Sequence, residues 1–224
     1  MFNSFCPDVT PGRIEPYIRA FCKDIRAEYD PVYVKVAPLA NAALRDCFNV
    51  VKNHCHGYGG EMVFGWNIWL WPNVCLKAEH HAIWRSPEDG LIDLTPKENS
   101  AENILFLPDP ERVCDVTGEK RTYNICKRLK ADPDIEAMLS AERALFDYEE
   151  ACTVPGTQEM RVNQNEYQVY QVNKAIATAK VALKYCRGPS PCCCGSGEKF
   201  AHCHRPDMEE LTGRGKRLCP AGRS

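Results

Sequence analysis

The stretch "HHAIWRSPEDGLIDLTP", residues 80–96, decides the fold. Aromatic and β-branched residues flank "SPEDG" (86–90), a cluster with turn chemistry, so the stretch reads as a hairpin. With SPEDG as a five-residue loop, Arg85 pairs with Leu91 and Ile83 pairs with Asp93. His81, Ile83, Asp93 and Thr95 then share one face, and Ala82, Trp84, Ile92 and Leu94 share the other. The second set is apolar and belongs to a core. His81 and Asp93 become diagonal neighbours within hydrogen-bonding reach. A four-residue loop would put them on opposite faces.

Outward from the hairpin, "EMVFGWNIWLW" (61–71) and "NILFLPD" (103–109) have the same strand character, and "PVYVKV" (31–36) reads as a short strand. Residues 61–71, 74–84 and 90–96 predict a small antiparallel sheet, to which 103–109 adds a further strand. Residues 10–29 show helical spacing through Ile14, Tyr17, Ile18, Phe21 and Ile25, with Thr10 as N-cap and Pro11 at the first helical position. A second helix is expected within 40–54. Helical patterns return at 133–152 and at about 158–186, the latter polar until Val172 and so expected to be partly exposed or packed on one side only. Trp66, Trp69, Trp71 and Trp84 are expected to pack the sheet.

A His–Asp pair on adjacent strands is the orienting half of a nucleophilic triad, because the carboxylate fixes the imidazole tautomer and stabilises its protonated form. Cys47, in "LRDCFNVV", is the candidate nucleophile. Capped by Asp46, its helix would place the thiol in the first turn, where the helix dipole favours thiolate. A start at Asn41 would instead put Cys47 in the second turn. Each residue alone also has a plain structural reading: Cys47 as a small buried apolar group, His81 and Asp93 as a satisfied core pair. His54, Cys55 and His56 are consecutive on a helix and point apart, which makes them poor chelators.

Near the C-terminus, "CCCGSGEKFAHCH" (192–204) places Cys192-x-Cys194 and Cys203-His204 with eight residues between the pairs. Two short donor pairs joined by a glycine-bearing loop can close a tetrahedral zinc site. All four positions are filled by protein, so the zinc is structural. Cys193 and His202 are spare donors beside it.

Both regions resemble known families. The order Cys47, His81 on a strand and Asp93 on the next strand resembles transglutaminase-like and arylamine-N-acetyltransferase-like cysteine enzymes, a branch of the papain-like fold. The strands His81-Ala82-Ile83-Trp84 and Ile92-Asp93-Leu94-Thr95 carry that resemblance, over about residues 40–96. It implies Cys47 as nucleophile, His81 as general base and acid, and Asp93 as orienter. Pro191, Cys192, Cys194, Gly195, Ser196, Gly197, Phe200, Cys203 and His204 resemble the SEC-C zinc motif, with Cys193 in place of that motif's middle proline. Such knuckles serve as docking modules, which implies a protein partner.

The expected architecture is α+β: a transglutaminase-like domain of papain-like fold over 1–132, a helical segment over 133–188, a zinc knuckle over 189–210 and a basic tail over 211–224. The 224 residues allow this, and a net charge of −2 gives no general excess for binding nucleic acid. No apolar run reaches membrane length, and "MFNSFCPDVTPGR" lacks the pattern of a secretory signal. Fourteen cysteines in a chain of this kind are expected to be reduced, in a cytoplasm, with a subset on metal. The function expected is cysteine-dependent acyl transfer from an amide or thioester, with a protein or peptide as a possible substrate. The alternative is a non-catalytic adaptor of the same fold that binds a protein through its zinc module.

Overall fold

The computed structural model describes residues 5–88, 90–113, 121–154, 157, 159–194 and 196–213. The chain forms two compact units. Asp8–Leu129 with Val154–Glu159 makes one, and Lys130–Thr153 with Met160–Ser224 and Met1–Pro7 makes the other.

Five strands of the first unit close on themselves. They are β1 (Val32–Val36), β2 (Glu61–Trp71), β3 (Cys75–Ser86), β4 (Gly90–Asp93) and β5 (Asn103–Pro108). Around the barrel the order is β1, β4, β3, β2, β5 and back to β1. β6 (Ile125–Arg128) adds to β3 along Cys75–Ala78, where β4 does not reach. The sheet is mixed, not wholly antiparallel as expected, because β1 runs parallel to β4. Alternation in "VYVKV" shows a half-buried strand but carries no information about the direction of its neighbours. Closure gives each of these five strands a neighbour on both sides, although the β4 and β6 ladders on β3 stop short of each other.

The hairpin has the expected register. Arg85 pairs with Leu91 and Trp84 with Ile92, and the ladder continues to Ser86 and Gly90. The loop is therefore tighter than five residues, with the same odd count and the same facing. β2 and β3 are joined by a similarly tight turn from Trp71 to Cys75, with Asn73 left-handed at φ 64°; asparagine tolerates that conformation.

Strand alternation sorts the side chains into an interior and two outer faces. Val34, Trp69, Ile83, Ile104 and Phe106 meet inside the barrel. Outside, Trp66, Ile68, Leu76, Ala78, Leu105 and Leu107 pack against Ile18, Phe21 and Cys22 of α1 (Pro16–Ile25). Ala82 and Leu94 pack against Val51 of α2 (Cys47–Tyr58). Each such fully buried aliphatic or aromatic side chain contributes about 1.5–3 kcal/mol. α1 begins at Pro16, not Pro11, and Thr10 instead donates its hydroxyl to the Asn103 carbonyl at 2.7 Å. Both prolines suit a first helical turn, and the packing of Ile18 and Phe21 selects the later one.

The second unit contains α3 (Pro133–Cys152) and α4 (Gln164–Tyr185), with N-caps Asp132 and Asn163 accepting from backbone N–H groups. Asp132 also accepts from Tyr185 at 2.6 Å and pairs with Lys184, which ties the start of α3 to the end of α4. A short 3-10 turn (Phe200–His202) and α5 (Arg205–Leu211) follow. The basic residues 214–217 lie outside the described residues. No helix among the described residues is long and apolar enough to cross a membrane.

Gly65 sits opposite His81 on β2. A Cβ there would collide with the Leu107 carbonyl oxygen and come within 2.5 Å of the Phe106 ring. Gly65→Ala is expected to destabilise the barrel by about 1–3 kcal/mol, read from urea unfolding by tryptophan fluorescence. Wild-type stability in that variant would contradict this close approach of β2 and β5.

Candidate functional site

His81 and Asp93 face the barrel interior, on the same side of the strands as Ile83. His81 Nε2 donates to Asp93 Oδ2 at 2.9 Å. Asp93 is 0 % exposed and His81 5 %. The other carboxylate oxygen, Oδ1, accepts from the Thr95 hydroxyl at 2.7 Å and the Thr95 backbone N–H at 3.0 Å. The Asp-x-Thr spacing thus closes a local turn that consumes one oxygen and leaves the other for the imidazole.

Sequence reasoning missed Lys97. Its Nζ lies 2.5 Å from Asp93 Oδ2, and it donates to Thr95 Oγ1 at 2.9 Å. The available signal was a base four residues after a buried acid, hidden in a stretch, "TPKENS", that reads as an ordinary polar loop.

Cys47 is the first residue of α2, so the later of the two possible helix starts is the one adopted. It is 5 % exposed. Asp46 precedes it, but its side chain does not cap the helix; it accepts from the Asn49 side-chain amide at 2.7 Å. The first-turn N–H groups beside Cys47 are therefore not taken by that carboxylate. Asn41 lies in the turn before the helix and is no N-cap.

Burial pulls the His81 pKa down, but the electrostatic influence of Cys47 and of Asp93 outweighs it and raises the imidazole to about 10. The Lys97 charge opposes them. Burial likewise disfavours the Asp93 carboxylate, yet His81 and Lys97 hold its pKa well below the usual range. His81, Asp93 and Lys97 thus form one buried, hydrogen-bonded group, and Cys47 acts on it through its charge. His80 points to the other face, bonds the Arg112 carbonyl oxygen at 2.8 Å and packs on Phe48 and Trp66.

The tryptophans pack the sheet as expected: Trp66 and Trp71 are buried, Trp69 donates to Glu79 at 2.8 Å and Trp84 to the Gly59 carbonyl at 2.9 Å. His54 stacks on Tyr58 and meets the edge of Trp84.

In the second unit, Cys192, Cys194, Cys203 and His204 bring their ligand atoms within 4.8 Å of one another and can hold a metal ion. Cys192 Sγ and Cys203 Sγ each lie 3.2 Å from His204 Nδ1, and Cys194 Sγ lies 3.5 Å from Cys203 Sγ. Bonds of about 2.0–2.3 Å to a tetrahedral ion require ligand separations of about 3.5–3.8 Å, and these three separations lie at or slightly below that spacing. The loop between the pairs is a narrow turn: Cys192 N–H donates to Glu198 O at 2.7 Å, Phe200 N–H to Ser190 O at 2.9 Å, and Gly197 takes φ 80°. Phe200 is buried, and Phe5 packs on both Phe200 and His204. Burial pushes the Cys193 thiol pKa up, which favours its protonated form, and neither Cys193 nor His202 belongs to the cluster.

A scan against protein-family models finds no matching family, and no match is found among curated proteins or solved structures.

Two outcomes follow from this geometry. The protein should carry one tightly held metal ion per chain, lost in the double variant Cys194→Ser/Cys203→Ser; elemental analysis of both proteins decides it, and an equal metal content contradicts the site. Second, the His81–Asp93 pair gives a defined pH window. The depressed Asp93 pKa contributes stability above its unfolded value of about 4, lost as pH falls. The raised His81 pKa contributes stability below its unfolded value of about 6.5, lost as pH rises toward about 10. The stability gap between wild type and His81→Gln/Asp93→Asn should therefore be widest between about pH 4 and 6.5. A gap independent of pH would contradict the charged pair.

Proposed function

We propose that the barrel unit is a thiol-dependent acyl-transfer domain of papain-like, transglutaminase-like type, and that the C-terminal cluster is a SEC-C-like zinc knuckle that docks a protein partner. The observation that carries the first part is the His81–Asp93 hydrogen bond through Nε2, which leaves Nδ1 for a second partner; the charge of Cys47 is one of the influences raising the His81 pKa, which supports the reading.

In this reading Cys47 is the nucleophile, His81 the general base and acid, and Asp93 the residue that orients the ring. Ionised Cys47 attacks the carbonyl carbon of an amide or thioester, forming a C–S bond and a tetrahedral oxyanion. First-turn N–H groups of α2 suit that oxyanion. The oxyanion collapses, the C–N or C–S bond of the substrate breaks, and His81 Nδ1 gives its proton to the leaving amine or thiol. Water or an amine then attacks the acyl-enzyme while His81 takes the incoming proton. Collapse of this second intermediate releases the acyl product and restores Cys47 as thiolate beside protonated His81.

For the C-terminal cluster, three thiolates and one imidazole are the donor set zinc prefers, and four protein ligands leave no position for a reacting water. A metal there supplies folding energy to a segment with little core of its own.

Iodoacetamide labelling with mass spectrometry tests the catalytic reading, using a small reagent because Cys47 is nearly buried. Among the cysteines of the metal-loaded protein, Cys47 should react fastest. His81→Ala should slow that reaction at least tenfold, a loss of about 1.4 kcal/mol, and Asp93→Ala should slow it less. No preferential labelling of Cys47 would favour the adaptor, in which the same fold binds a partner without turnover.

A further inference from the structure

Lys97 is the unusual member of the barrel site. Its side chain is 7 % exposed, so a full positive charge is held almost out of water. Such a charge needs close pairing. Its Nζ shares Asp93 Oδ2 with His81, at 2.5 Å against 2.9 Å for the imidazole. The ammonium also stands 3.2 Å from His81 Nε2 itself. An ammonium has no acceptor. When Nε2 carries a proton, this last contact is a repulsion between two donors held by one oxygen. When Nε2 is bare, it becomes a hydrogen bond from Lys97.

The charges that face His81 are few. α2 supplies Cys47. β4 and the turn after it supply Asp93, Thr95 and Lys97. On β2, Gly65 lies directly opposite and has no side chain, and Asn67 is diagonal and neutral. On β3 itself Glu79 lies two residues away on the same face, with one oxygen taken by Trp69 Nε1. Lys97 is thus the close cation in this set. With Asp93 and Lys97 cancelling, thiol plus imidazole and thiolate plus imidazolium are both neutral overall. Lys97 thereby sets the total charge of the buried group at zero, where Asp93 alone would leave it at about −1. Without Lys97, Asp93 would bind the imidazolium alone and hold its proton against transfer to a leaving group.

We infer that Lys97 is a positioning residue that shares the Asp93 carboxylate with His81 and thereby keeps His81 able to release its proton. This rests on the proposed acyl-transfer reading for its catalytic meaning, but not for its test. The opposition between the Lys97 charge and His81 protonation agrees with it.

The experiment is an imidazole NMR titration of His81 in the Cys47→Ala background, which removes the thiol from the measurement. Adding Lys97→Met should move the His81 midpoint upward by one pH unit or more, the scale of a close like charge. Lys97→Gln removes the charge while keeping a donor for Asp93 and Thr95, and should give the same rise if the methionine variant does not fold. Lys97→Arg keeps the charge and should stay within about half a unit of the parent. A midpoint that stays put or falls in both neutral variants overturns the inference. Labelling of Cys47 in the otherwise wild-type protein separates the two ideas. An unreactive Cys47 with a shifted His81 midpoint sinks the acyl-transfer reading and leaves Lys97 as assigned; a reactive Cys47 with an unmoved midpoint sinks the Lys97 assignment alone.

Discussion

A carboxylate with no exposed surface must be satisfied on every side, and Asp93 sets that condition for the barrel unit. One oxygen is closed by Thr95, two residues on, and the other is shared by His81 and Lys97. This requirement couples distant parts of the sequence. It needs β4 to end at Asp93, β3 to keep the register that turns His81 inward, and the following turn to bring Lys97 back. A shift of either strand by one residue would turn one partner to the outer face and leave a buried charge without its counter-ion, a loss of several kcal/mol.

The rest of the unit follows from the same strands. β3 is long enough to serve β2 along its whole length while β4 and β6 divide its other edge. Its inward positions near the ladder end carry His81 and Ile83, and its outward positions carry Ala82 and Trp84 against α2. Packing on the outer face therefore holds the helix that begins with Cys47, while the inner face holds the polar pair. The charge of Cys47 is among the influences that raise the His81 pKa.

The hairpin register and the His81–Asp93 bond were legible in the sequence because strand alternation and turn length fix facing without any tertiary knowledge. The C-terminal cluster was legible because ligand spacing restricts its geometry directly. Other features were not. β6, with the sequence Ile125-Cys126-Lys127-Arg128, is short and mostly exposed, and pairing with β3 rather than its own pattern makes it a strand. The parallel β1–β4 pairing depends on closure of the barrel, which no local pattern encodes. The start of α2 was ambiguous because "NAALRD" forms helices readily; the structure begins the helix at Cys47, after Arg45 in a left-handed conformation at φ 64°. Lys97 looked like a solvated loop residue, since its role exists only once Asp93 is buried.

The most direct measurement of the central claim is acyl-enzyme trapping with p-nitrophenyl acetate, an activated ester small enough for a nearly closed site. The account predicts a burst of p-nitrophenol approaching one equivalent per chain, with a single acetyl group located on Cys47 by peptide mapping and no burst in Cys47→Ala. Acetylation spread over several cysteines, or a burst that survives in Cys47→Ala, would contradict it.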